Sequence, residues 1–226
     1  MKKVLGIVAL AGGLVAAASG TAQAGLVLEV CDVTGGTCTL VNDGGAGDIA
    51  VGTPNVIIFS GLVGLFNVNI DTAISNSPGG PVVAALQNQI QAVNGTNLAR
   101  TLTVEAFDDT YTFPGTGPAT MNCQSSGTGV LGGGNTVSTT CTTDGTTLAL
   151  NTYDPAGAGD NQNTAVVIGA TPYTISNFST VVFVPQAQVQ VTQTTAVRAV
   201  PEPASLSLLG IGLAGLAAAR RRMRRG

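Results

Sequence analysis

The densest cluster of reactive side chains is acidic: Glu105, Asp108 and Asp109 fall within one short stretch, "VEAFDD". Two carboxylates flanking a glycosidic bond can cleave it, one as general acid and the other as base or nucleophile, so these residues are the candidates for a hydrolase. Little else supports catalysis. The chain contains no histidine, which removes the Ser-His and Cys-His pairs that activate nucleophiles. The cluster lies where a predicted strand runs into a loop, and acids there ordinarily form a solvated edge. The expectation is a protein with no catalytic residue, not an enzyme.

Two loops offer oxygen ligands for a hard cation. "NDGGAGD" (42 to 48) supplies Asn42, Asp43 and Asp48, and "YDPAGAGDNQN" (153 to 163) supplies Asp154, Asp160, Asn161 and Asn163. Carboxylate and amide oxygens suit Ca2+, so Asp43, Asp48, Asp154 and Asp160 are the calcium candidates. Neither loop has EF-hand spacing, and the single "GGAGD" sets its aspartate one place early for a calcium-binding nonapeptide. Gly, Asp and Asn are also ordinary turn residues, and the expectation is therefore no metal or other cofactor. A glycan platform would need exposed aromatic rings. With no tryptophan, three tyrosines and six phenylalanines, the aromatics are expected to fill the core.

Cys31, Cys38, Cys123 and Cys141 are the four cysteines. A zinc site wants tightly clustered ligands and usually histidine, so two disulfides are expected, for which three connectivities exist. The spacing favours Cys31 with Cys38 and Cys123 with Cys141. The second bridge would close a loop of about nineteen residues and contribute on the order of 3 kcal/mol.

The elements that must position these residues read almost entirely as strands. "LVLEVCDV" (26 to 33) and "TCTLV" (37 to 41) flank Thr34, Gly35 and Gly36 as a hairpin. A turn centred on Thr34 and Gly35 sets Cys31 opposite Cys38. Further alternating runs occur at 55–60, 64–70, 99–107, 136–142, 146–151, 163–169, 173–184 and 186–194. Apolar and polar residues alternate and Gly, Pro, Asn or Asp separate the runs, as in antiparallel sheets with one wet face. Threonine, β-branched yet polar, suits that face. "VVAALQNQIQAV" (82 to 93) fits a helix or a strand, and the Gly/Thr-rich stretch from Ser125 to Thr140 reads as a long loop. The fold class is all-β, an antiparallel β-sandwich or jelly-roll-like ectodomain.

Both ends differ from this middle. Lys2 and Lys3, an apolar run from Val4 to Ala18, and Ala22-Gln23-Ala24 read as a signal peptide (1–24) for the Sec translocon, with the mature chain starting at Gly25. An uncleaved anchor is the alternative, but the run is short for a span of about twenty residues. From Gly25 to Val200 eleven acidic residues face only Arg100 and Arg198, a net charge of −9. Such a surface repels phosphate backbones, so nucleic acid is not an expected partner.

Residues 200–226 follow the ectodomain (25–199) with Pro201-Glu202-Pro203, an apolar segment from Ala204 to Ala219, and Arg220, Arg221, Arg222, Arg224 and Arg225. Sixteen helical residues reach about 24 Å, short of a hydrocarbon core of roughly 30 Å. The arginines would hold the tail in the cytoplasm and set the Pro-Glu-Pro at the outer face. There the prolines favour extended backbone that a processing enzyme can grip. A lasting single-pass anchor is the alternative.

Motif, apolar helix and arginine cluster together resemble the PEP-CTERM sorting signal of Gram-negative bacteria, over about a tenth of the chain. The resemblance implies recognition by exosortase, a membrane transpeptidase with a cysteine nucleophile that cuts near Pro201, Glu202 and Pro203. It further implies transient residence in the inner membrane and then a place at the cell surface or in an extracellular matrix, in a biofilm or exopolysaccharide setting. Polysaccharide is the partner this setting suggests.

Overall fold

A computed structural model describes residues 25–80, 82–155, 159–200, 211–213 and 220. Between Gly25 and Val200 it is an all-β sandwich of two antiparallel sheets. The first sheet runs β2 (Thr37–Asn42), β1 (Val27–Asp32), β6 (Arg100–Tyr111), β11 (Tyr173–Phe183), β8 (Thr136–Thr143) and β9 (Thr146–Ala149). The second runs β10 (Gly159–Ile168), β7 (Gly117–Leu131), β12 (Gln188–Ala199), β5 (Ala84–Asn94), β4 (Phe66–Ser75) and β3 (Val56–Val63). The chain changes sheet after β2, β5, β6, β7, β9, β10 and β11, so residues far apart in sequence face one another across the core.

Alternation sets which side chains meet there. In β1, Leu28 and Val30 point inward and Val27, Glu29 and Cys31 outward. In β6, Leu102, Val104 and Ala106 enter the same core, which Phe66 and Phe183 fill with ring centroids 5.0 Å apart. The β1–β2 hairpin has the predicted register, with Cys31 directly opposite Cys38 and bonded to it. Cys123 on β7 and Cys141 on β8 form the second bridge, which ties the two sheets together.

Two segments resolve or depart from the sequence reading. Residues 84–94 are a strand, β5, with Leu86, Ile90 and Ala92 inward and Gln87, Gln89 and Gln91 alternating away. Its helix-forming residues yield to pairing on both sides, with β12 and β4. The expected loop from Ser125 to Thr140 is instead the end of β7, a turn at Gly132–Asn135 and the start of β8. Its glycines misled: a Cβ at Gly127 would stand 2.8 Å from Pro155 Cβ and 3.2 Å from Tyr153 Cε2. Close approach of another segment requires glycine there, and Gly127 pairs in register with Val191 of β12.

A polar seam crosses the core. Asn177 of β11 donates to the Leu86 carbonyl (3.0 Å) and to Asn88 Oδ1 (3.2 Å), both on β5. Thr195 of β12 donates to Asn177 Oδ1, and Ser179 donates to Gln193 Oε1 (2.7 Å). These bonds link the sheets with directional contacts that apolar packing alone does not supply.

Candidate functional site

The three clustered acids do not share one face. β6 continues straight through them, so Glu105 faces outward, Asp108 is wholly buried and Asp109 is exposed. Strand alternation places Glu105 and Asp108 on opposite faces of the sheet, which excludes them as one acid and base pair across a glycosidic bond. Asp108 Oδ1 accepts from the Thr110 backbone amide (2.9 Å) and hydroxyl (2.5 Å). Glu105 Oε1 accepts from Ser176 (2.7 Å). The acid opposite Glu105 is Glu29, its direct register partner on β1, a pairing of residues distant in sequence that no local pattern announces.

That pair lies on the outer face of the first sheet, in a row running Leu40, Glu29, Glu105, Phe178 and Thr140. The adjacent row holds Val27, Phe107, Ser176 and Thr142. Most aromatics fill the core as expected: Phe59, Phe66, Phe183, Tyr111, Tyr153 and Tyr173 are buried. Phe107 and Phe178 depart from that expectation and lie half-buried on the outer face. The buried phenols are satisfied. Tyr111 donates to the Ala85 carbonyl (2.6 Å) and accepts from Ser75 (2.8 Å), and burial pushes its pKa well above the usual phenol range.

The calcium candidates are engaged by the protein itself. Asp48 Oδ1 accepts from the amides of Ala50 (2.8 Å) and Ile58 (3.0 Å), and its Oδ2 from Gly44 (2.9 Å). Asp43 Oδ2 accepts from Asn55 (2.6 Å). Together they clamp the 42–55 loop onto β3, a turn-holding use of Asp. Asp160 Oδ2 accepts from the Asn151 amide (2.8 Å), Asn151 Nδ2 (3.0 Å) and Gln162 Nε2 (2.8 Å). The Asn151 amide first, then Gln162, hold its pKa below the ordinary carboxylate value. Asn161 and Asn163 both accept from Asn122 of β7, while Asp154 is exposed and Asn42 caps its own turn through its carbonyl to Gly45 (2.8 Å). Among the described residues, three potential metal-ligating side chains come within reach of one another at Glu29, Cys31 and Cys38. The disulfide leaves that group no thiolate.

Sequence reasoning missed the ion pair at one end of the sandwich. Asp32, fully buried at the end of β1, accepts from Arg100 (2.8 Å), the Gly35 amide (2.8 Å) and the Leu65 amide (3.2 Å). Gly64, at φ +58°, lies so close that a Cβ would stand 2.7 Å from that of Asp32. The isolated Arg100 in an acidic domain was the signal available.

The last strand of the sandwich leads directly to the tail. β12 pairs through Ala199 opposite Ala119, and the Val200 amide reaches the Pro118 carbonyl at 3.4 Å. Pro201, Glu202, Pro203, Arg221, Arg222, Arg224 and Arg225 lie outside the described residues, as do Ala22 and Ala24 and most of the expected helix; Ile211–Leu213 and Arg220 are helical. Among the described residues no helix is long and apolar enough to cross a membrane.

Residues 199–222 match the family model of the PEP-CTERM protein-sorting motif. No curated protein matches the chain. Among solved structures, TmCBM61 in complex with beta-1,4-galactotriose aligns with 59% of this chain and 88% of its own, at 9% identity and a TM-score of 0.34. The CBM22-1-GH10 modules of Clostridium thermocellum xylanase 10B, complexed with xylohexaose, align with 61% of this chain and 25% of their own, at 13% identity and a TM-score of 0.30. Likeness at this level assigns neither site nor ligand.

Proposed function

We propose that this chain, which carries a PEP-CTERM protein-sorting motif at residues 199–222, is an exported protein that exosortase cuts near Pro201-Glu202-Pro203 and leaves at the cell surface or in the extracellular matrix. One observation carries the reading: the last described strand runs up to the Pro-Glu-Pro. Ala199 is the last paired residue of β12, and the first proline of the motif follows two residues later. A cut there spares every described strand. β12 also lies between β7 and β5, so any load applied through the new C-terminus enters the middle of a sheet. In this reading the chain passes the Sec translocon, rests in the inner membrane on its apolar tail, and then acts without catalysis as a structural or adhesive unit of a biofilm or exopolysaccharide layer. The acidic surface and the separation of Glu105 from Asp108 favour such a role over hydrolysis.

Replacing Pro201, Glu202 and Pro203 with alanine tests this. The variant is expected to keep its full C-terminal mass and stay in the membrane fraction, while the parent loses its arginines and leaves it. Intact-mass measurement on both fractions decides. Identical trimming and trafficking would sink the reading.

Phe107 and Phe178, side by side with hydroxyls and the Glu29–Glu105 pair, favour a second reading in which this outer face binds a glycan. Rings stack on sugar faces and carboxylates accept from sugar hydroxyls, while two acids together repel anionic chains. The ligand is then a neutral polysaccharide. Phe178→Ala is expected to weaken retention in neutral-polysaccharide affinity gels about tenfold, or ~1.4 kcal/mol. Unchanged migration of a Phe107→Ala/Phe178→Ala double variant would remove the face from consideration.

A further inference from the structure

Gly25 lies beside two carboxylates that have no cation among the described residues. The β1–β6 register pairs Asp32 with Leu102 and Val27 with Phe107. Continued by two residues, it sets Leu26 across from Asp108 and Gly25 across from Asp109. Side-chain geometry agrees: a Cβ built on Gly25 would stand 3.1 Å from Asp108 Oδ1 and nearer still to Asp109 Oδ1. Nitrogen and Cβ of one residue are about 2.5 Å apart, which bounds the Gly25 nitrogen to within about 5.6 Å of Asp108 Oδ1. Its position is fixed from the other side, because Leu26 is fully buried and its carbonyl accepts from the Asp43 amide at 3.1 Å.

Asp108 needs a partner. It is wholly buried, and while Oδ1 is occupied by Thr110, Oδ2 has no hydrogen-bond partner among the described residues. An ionised carboxylate out of water is costly unless paired. Within the sandwich neither arginine serves. Arg100 is bound to Asp32 at the opposite end of β6, and Arg198 is exposed on β12 in the other sheet. No lysine occurs after Lys3.

We propose that the cation is the chain's own processed N-terminus. This rests on the reading of residues 1–24 as a cleaved leader. Water hydrolyses the Ala24–Gly25 bond, the hydroxyl going to the Ala24 carbonyl carbon and a proton to the Gly25 nitrogen. The amine then takes a further proton from solution, as α-amino groups do at neutral pH. An uncharged amide with one donor becomes an ammonium with three, facing Asp108 and Asp109. Export thereby stabilises the fold, and the precursor is the looser form.

The sequence supplies a selective probe. Lys2 and Lys3 leave with the leader, so the Gly25 amine is the sole primary amine of the mature chain. Acetylating it turns the ammonium back into an amide. In the exported protein, acetylation is expected to shift the unfolding equilibrium about tenfold toward the unfolded state, between the values for exposed and buried pairs. In Asp108→Asn, or in Asp109→Asn should the first not fold, the shift is expected to shrink severalfold. Superimposable urea curves before and after acetylation overturn the proposal, as does an undiminished shift in both variants. N-terminal mass mapping separates the two readings: an exported chain that begins elsewhere refutes the leader, while a chain released from a tag to begin at Gly25 still tests the pair.

Discussion

Asp32→Ala is expected to destabilise the sandwich by about 3–5 kcal/mol, the cost of breaking a buried ion pair from one side. The Asp32 side chain is fully buried and that of Arg100 is 12% exposed, so removing one leaves the other nearly dry and unpaired. Arg100 Nε already has no hydrogen-bond partner among the described residues. The same substitution frees the amides of Gly35 and Leu65, which hold the β1–β2 and β3–β4 turns against the start of β6. Against a typical total of 5–15 kcal/mol, that loss is a large share. Urea unfolding by far-UV circular dichroism measures it. Asp32→Ala/Arg100→Met should recover part of the loss, because removing both charges removes the desolvation problem. A single variant with the parent's midpoint would show that the pair is not a structural fastener.

What could be read ahead of the structure follows from physical range. Alternation is local, so the strands and the Cys31–Cys38 register were legible from "LVLEVCDVTGGTCTLV", and the tail was legible because its three parts are contiguous. Ambiguity arose where local preference and tertiary pairing compete. Gln87, Asn88, Gln89 and Gln91 say nothing about the two neighbours that make β5 a strand, and Gly127 and Gly129 look like loop residues until Pro155 is seen pressing on β7. Parity was the most consequential loss. Extending β6 to Tyr111, rather than ending it before Asp108, separates Glu105 from Asp108, and the register with β1 sets Glu105 opposite Glu29. The Asp32–Arg100 pair and the Asn177–Asn88–Thr195 seam join strands separated by many residues. Sheet order decides such contacts, and single-strand patterns do not encode sheet order.

The second large effect is expected at Cys123–Cys141, and it separates this bridge from the other. In the chain-entropy view a closed loop of about nineteen residues is worth roughly 3 kcal/mol, and one of about eight residues only somewhat less. Loop length alone therefore predicts similar losses for the two bridges. Their surroundings differ. Cys123 and Cys141 are both wholly buried, and Gln193 Nε2 contacts Cys141 Sγ at 3.5 Å within the polar seam. Cys123→Ala/Cys141→Ala removes two sulfurs from packed interior and frees a buried amide proton, so the expected loss is about 4 kcal/mol or more. Cys38 is exposed on a two-stranded hairpin edge, and the β1–β2 backbone pairing remains without its sulfur. Cys31→Ala/Cys38→Ala is expected to cost about 2 kcal/mol. Reduction provides an independent reading: dithiothreitol at native temperature should open Cys31–Cys38 alone, with Cys123–Cys141 yielding only as the sheets part. Alkylation and mass mapping over time distinguish the two. Simultaneous loss of both bridges under native conditions would mean that the sheet-to-sheet bridge is not shielded by the core.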